Sequence, residues 1–132
     1  MNESQYSPKV AGMGFLKRLL GLEVRPGEPR SIRDDEFEGE IAGSDLPCFL
    51  YFYSLWCPSC QVTSGLLNEL GPSYIGKASF YKMDVNKEPN TAAMFGIRSI
   101  PAVISFKNGT PADMLVGLAP IDELKGWIEK NL

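Results

Sequence analysis

Two residues of this 132-residue chain stand out for their chemistry: Cys57 and Cys60, in the segment Trp56-Cys57-Pro58-Ser59-Cys60. Two thiols at this spacing can exchange electrons by making and breaking a disulfide, or they can help hold a metal. A structural zinc site needs four ligands. The chain offers this one pair, a third cysteine at position 48 and no histidine. A metal held within one chain is therefore disfavoured, and a cluster would have to bridge two chains. The lack of histidine also excludes imidazole general bases and Ser-His or Cys-His nucleophile pairs. Exchange chemistry at two sulfurs remains, with a pair of inert buried thiols as the plain alternative. Neither a metal nor another cofactor is expected.

Position decides whether such a thiol is reactive. An apolar run from Leu46 to Tyr53 predicts a buried central strand just before the motif. A helix is predicted from about Pro58 to Leu70, with Val62, Leu66, Leu67 and Leu70 as its apolar stripe. Cys57 then lies at the carboxyl end of a strand, where α/β sheets place their sites, and at the opening of a helix. Free backbone N–H groups and the helix dipole favour negative charge there, so the thiol should ionise below its usual value of about 8.5. Pro58 suits the first helical turn, which needs no N–H from it. Ser59 brings a small hydroxyl near the sulfurs. Cys60 falls on the same helix face as Cys57 and deeper. The expected roles differ accordingly: Cys57 attacks a disulfide, and Cys60 then attacks the Cys57 sulfur.

The other elements must hold this site. Ser31-Ile32 reads as a short edge strand. Asp34 can cap a helix over about Asp35–Gly43, with Phe37 and Ile41 on one face. Ala78–Val85 and Ala102–Phe106 read as strands, and Glu88–Phe95 as a helix between them. A turn at Lys107-Asn108-Gly109 leads to a short strand, Met114–Val116, which ends at Gly117. A last helix from about Ile121 to Asn131 turns Leu124, Trp127 and Ile128 inward. This order predicts an α/β layered sheet, parallel in part and antiparallel at one edge. Cys48, at the start of the central strand, reads as a small buried apolar residue.

Length and a 44% hydrophobic, 22% charged composition suit one globular domain, assigned to residues 30–132. Residues 1–29, punctuated by glycine and proline, read as a flexible tail. Within it, Phe15 to Leu22 has helical apolar spacing with Lys17 and Arg18. It reads as a frayed helix, or as a weak membrane-surface or partner-binding helix. No run approaches the roughly 18 apolar residues of a membrane span. No export signal is apparent, so a reducing cytoplasm is the default, and Met13 is an alternative start. The net charge is −3, and −5 beyond residue 30, which disfavours nucleic acid. A monomer is expected.

Residues 30–132 resemble the thioredoxin family. The resemblance rests on Phe49–Tyr53 leading into Trp56-Cys57-Pro58-Ser59-Cys60, then Lys82-Met83-Asp84-Val85-Asn86. Phe95-Gly96-Ile97-Arg98-Ser99-Ile100-Pro101, Phe106-Lys107-Asn108-Gly109 and Val116-Gly117 follow in order. It implies a thioredoxin fold, a mixed sheet of four to five strands with about four helices. It implies a protein disulfide oxidoreductase, reducing protein substrates and itself reduced by a thioredoxin reductase or similar dithiol donor. It also implies a cis proline at Pro101 packed on the disulfide, a substrate segment pairing with the Ile100 backbone, and Trp56 and Gly117 flanking that groove. The alternatives are a holdase module that uses the groove without turnover, and an oxidase or isomerase.

Three departures bear on the chemistry. Pro58-Ser59 stands where the family has Gly-Pro. Tyr51 replaces a buried acid, leaving Lys82 without that partner; Tyr51 is expected either to hydrogen-bond Lys82 or to pack. Gln61 replaces a lysine, and Gly65 a helix proline, which would loosen or bend the helix.

Overall fold

The computed structural model describes residues 24–132. Phe15–Leu22, with the helix read there, lies outside the described residues. The central strand β2 (Cys48–Tyr53) is buried almost end to end. Its alternating side chains serve two cores, which explains the unbroken apolar run. Cys48, Leu50 and Phe52 face Ile32, Phe37, Ile41, Met83 and Ile104. Phe49 and Tyr51 face Leu67, Val103, Leu124, Trp127 and Ile128.

Around β2 lie β1 (Arg30–Ser31), β3 (Ser79–Asp84), β4 (Ala102–Lys107) and β5 (Thr110–Val116), in the order β1-β3-β2-β4-β5. β1, β3 and β2 are parallel; β4 is antiparallel to β2, and β5 is antiparallel to β4. Helices α1 (Pro58–Leu70) and α3 (Ile121–Lys130) cover one face, and α2 (Pro89–Met94) with residues 34–42 the other. This is the mixed five-stranded α/β sheet that the motif order implies.

Several local expectations change. The helix over 35–43 is a 3-10 turn (Asp34–Glu36) followed by a π turn (Glu38–Ala42). The Asp34 carboxylate is engaged elsewhere. It accepts the Asn90 and Thr91 amides, at 3.1 and 2.8 Å, and the Thr91 hydroxyl at 2.6 Å. It thus caps the start of α2 rather than a helix of its own. β5 is longer than Met114–Val116, because its outer residues, mostly exposed, carry little apolar signal. Val62 is 50% exposed, whereas Thr63 is buried on α1 with Cys60, Leu67 and Leu70. The helix runs unbroken past Gly65.

The Thr63 hydroxyl is buried, and among the described residues it has no hydrogen-bond partner. An unmatched buried donor is destabilising. Thr63→Val, which keeps the shape, is expected to raise stability by about 1 kcal/mol, read as a higher urea midpoint at unchanged slope. A lower midpoint would show that the hydroxyl is used.

Residues 27–29 pack against the domain as well. Pro29 is buried. Gly27, at φ +91°, lies so close to Pro72 and Gly71 that a Cβ on either glycine would strike backbone. At the far edge, Asp113 of β5 accepts the Trp127 indole N–H at 2.9 Å and the Asn131 amide at 3.2 Å. These bonds fasten α3 to the sheet and so fix the Gly117–Pro120 connection between them. The Asn131 amide and the Met114 N–H hold the Asp113 carboxyl below the usual carboxylate range.

Candidate active site

β2 delivers the chain to the site. Beyond Tyr53, a turn through Ser54-Leu55-Trp56 reaches Cys57, the N-cap of α1. The turn is pinned by Ser54, whose hydroxyl oxygen accepts the Trp56 amide at 3.3 Å and the Asn86 side-chain amide at 2.9 Å. Cys57 has extended backbone angles, φ −107° and ψ 104°, and Pro58 occupies the first helical turn. The Cys60 amide donates to the Cys57 sulfur at 3.1 Å. The Ser59 hydroxyl lies 3.4 Å from that sulfur. A cap position normally filled by an oxygen is thus filled by sulfur, and a thiolate there would meet an N–H it can use.

Cys57 and Cys60 are joined as a disulfide, with their Cα atoms 5.1 Å apart. That spacing falls within the normal range for such a bond. The two sulfurs are not equivalent. Cys57 is half-buried, and Cys60 is fully enclosed. Cys48 is free and buried at the opposite end of β2, where burial pushes its thiol up.

The neighbouring strands bring further residues to the same end of the sheet. Phe52 pairs with Ala102, and Ala102 with Val116. Ile100-Pro101, just ahead of β4, and Gly117, just after β5, therefore sit beside the Ser54–Cys57 turn. The Ile100–Pro101 peptide is cis. Pro101 is buried, and its carbonyl accepts the Gly117 amide at 2.8 Å. Gly117 has φ +92°, a conformation that favours glycine.

Tyr51 does not bond Lys82. Its hydroxyl donates to the Cys60 carbonyl at 2.7 Å and lies 3.0 Å from the Ser64 hydroxyl. Burial pushes Tyr51 up to about 12. Lys82, its register partner, instead sets its ammonium 5.8 Å from the Tyr53 ring centre. Tyr53 in turn stacks on Tyr51 at 5.4 Å. Ser54, Ser64 and Asn86 are site residues that the sequence did not single out. Only the Ser-x-Trp turn pattern offered a local clue, to Ser54.

Trp56 is 87% exposed, and Leu55, Val62, Leu118 and Ile121 are exposed too. Val62, Leu118 and Ile121 line an open depression of about 450 Å³ between α1 and the β5–α3 connection. Among the described residues, no group of three or more His, Cys, Asp or Glu is placed to hold a metal ion. Among them, too, no helix is long and apolar enough to cross a membrane.

A family model described as Thioredoxin matches residues 28–130. The chain belongs to the thioredoxin family. It is 35% identical over 102 residues to a thioredoxin of Rickettsia conorii, covering 77% of this chain and 97% of that one. It is 37% identical over 101 residues to a thioredoxin of Haemophilus influenzae, covering 76% and 94%. A chloroplastic M-type thioredoxin of Pisum sativum is 36% identical over 114 residues; the match covers 86% of this chain and 66% of the pea protein. This member of the thioredoxin family is a thiol–disulfide oxidoreductase. Its redox centre is the Cys57–Cys60 pair, and the exchange needs no other cofactor.

Proposed function

We propose that the protein reduces disulfides in protein substrates, with Cys57 as nucleophile and Cys60 as resolving thiol. The Cys57 thiolate attacks one sulfur of the substrate disulfide. A Cys57–substrate disulfide forms, and the other substrate sulfur leaves as a thiolate and takes a proton. Cys60 gives up its proton and attacks the Cys57 sulfur, which expels the second substrate thiolate. The substrate gains two electrons and two protons, and the protein keeps the Cys57–Cys60 disulfide. A reductase or similar dithiol donor restores the dithiol.

The observation that carries this reading is the Cys60 amide 3.1 Å from the Cys57 sulfur at the opening of α1. The contrast between a half-buried Cys57 and an enclosed Cys60 supports the order of attack. In this reading the Ile100 backbone pairs with an extended substrate segment, an edge-addition mode of recognition. Trp56, Pro58, Ser59 and Gly117 border that segment, and Pro101 backs it. Tyr51 and Lys82 support the site from beneath. The protein works as a monomer in a reducing cytoplasm, where a free buried Cys48 is safe from oxidation.

Two measurements test the direction and the roles. In reduced protein, Cys57 should alkylate first, with a midpoint below about pH 8. Against glutathione, the pair should equilibrate at a potential below about −230 mV, on the reducing side of glutaredoxins. A value near that of strong oxidants, about −120 mV, would overturn the reductase direction.

A further inference from the structure

We infer that the Tyr51 hydroxyl, together with Ser64, holds the first turn of α1 so that the Cys60 amide stays on the Cys57 sulfur. Tyr51 is thus a positioning residue for the exchange reaction. The inference rests on Cys57 being the attacking thiol.

The argument begins with which atom can donate. A carbonyl oxygen only accepts, so the phenol proton points to the Cys60 carbonyl, 2.7 Å away. Ser64 must then donate its own proton to the Tyr51 oxygen, 3.0 Å away. One phenol oxygen therefore ties the central strand to two successive turns of α1, at Cys60 and at Ser64. The ring itself is fixed, since Tyr51 is 1% exposed and stacks on Tyr53.

Cys60 is thereby held at both ends. Its carbonyl is bound from the sheet side, and its amide is shared between the Cys57 sulfur and the Cys57 carbonyl, each at 3.1 Å. A charge–dipole contact of this kind weakens steeply as it lengthens. Without the phenol hydroxyl, the turn loses its tie to β2, and the amide can drift from the sulfur it serves.

The surroundings leave Tyr51 no competing role in proton transfer. Its hydroxyl is already a donor, and burial pushes it up to about 12. Tyr53 on its own strand, and Lys82 and Asp84 on β3, occupy the same sheet face by register. None of them hydrogen-bonds the Tyr51 oxygen. From α3 and β4 this face receives the apolar Val103, Leu124, Trp127 and Ile128, and the Ser105 hydroxyl, which donates to Asn131 at 3.1 Å.

The test uses the full chain, reduced, with the parent measured beside Tyr51→Phe, Ser64→Ala and Ser64→Thr. Cys57 alkylation by iodoacetamide is followed across pH, and insulin reduction is timed at pH 6.5. Tyr51→Phe keeps the ring and should keep the far-UV spectrum. Its Cys57 midpoint should rise by about half a unit, a roughly threefold loss of thiolate at acidic pH, and insulin reduction should slow to match. Ser64→Ala should shift the same way by less, and Ser64→Thr, which keeps a hydroxyl, should titrate like the parent. A folded Tyr51→Phe with the parent's midpoint and rate overturns the inference. If Tyr51→Phe does not fold, the serine pair decides: equal midpoints for Ser64→Ala and Ser64→Thr overturn it. A parent whose Cys57 titrates as an ordinary thiol sinks the functional reading first, and this inference with it.

Discussion

Cys60→Ser is expected to stop the reaction halfway, leaving the protein bound to its substrate through Cys57. The first attack needs only the half-buried Cys57 and its helix-end setting, both of which survive the substitution. The second attack needs a sulfur at position 60, and a serine hydroxyl is a far weaker nucleophile at neutral pH. Adducts sensitive to dithiothreitol should therefore accumulate on non-reducing gels, with turnover near zero. Cys57→Ser should lose the reaction altogether, by on the order of a thousandfold or more. The remaining thiols, Cys48 and Cys60, are both enclosed and out of a substrate's reach. The asymmetry between the two variants is the decisive result. If Cys57→Ser gathered adducts and Cys60→Ser did not, the roles would be reversed.

The second large effect concerns the fold. Asn108 and Gly109 join β4 to β5 with φ of +53° and +77°. Two successive residues in this region make the tight hairpin turn that suits the twist of the strands. Asparagine tolerates the conformation, but at Gly109 a side chain would also collide with the backbone carbonyl of Ala42. Gly109→Ala combines an unfavourable φ with that clash, and should cost about 2–3 kcal/mol. Urea unfolding should show the midpoint falling at unchanged slope. Exchange should be normal wherever the variant is folded, since the turn lies at the opposite end of β4 from Pro101. A cost under about 0.5 kcal/mol would mean that the π turn at Glu38–Ala42 simply moves aside.

The central strand and the motif were the most legible parts of the sequence. β2 is buried on both faces, so its apolar run is continuous and needs no knowledge of its neighbours. The placement of Cys57 followed from local chemistry: a strand end, a helix opening and a proline in the first turn. Features that depend on distant partners were not legible. Asp34 was read as the cap of the helix beside it, because a carboxylate carries no mark of the amides it will meet 56 and 57 residues on. β5 was cut short because an edge strand with exposed residues lacks apolar alternation. Val62 and Thr63 were exchanged in the helix stripe, since hydrophobicity alone sends the valine inward. At the site itself, the family pattern draws attention to Tyr51 and allows a bond to Lys82 or packing; the ring packs on Tyr53, and the hydroxyl bonds neither Lys82 nor any other strand residue. The Cys60 carbonyl and Ser64 became apparent only once strand and helix were placed together.

Ahead of the packed residues 27–29, the described chain begins at the exposed Val24. Val24 borders the same surface hollow as Leu46 and Ile75, which precede β2 and β3. Both strands run from there toward the disulfide. Val24 therefore lies at the pole remote from Cys57. Held to a resin or an electrode by a link at position 24, the protein would turn its reactive sulfurs toward the solution.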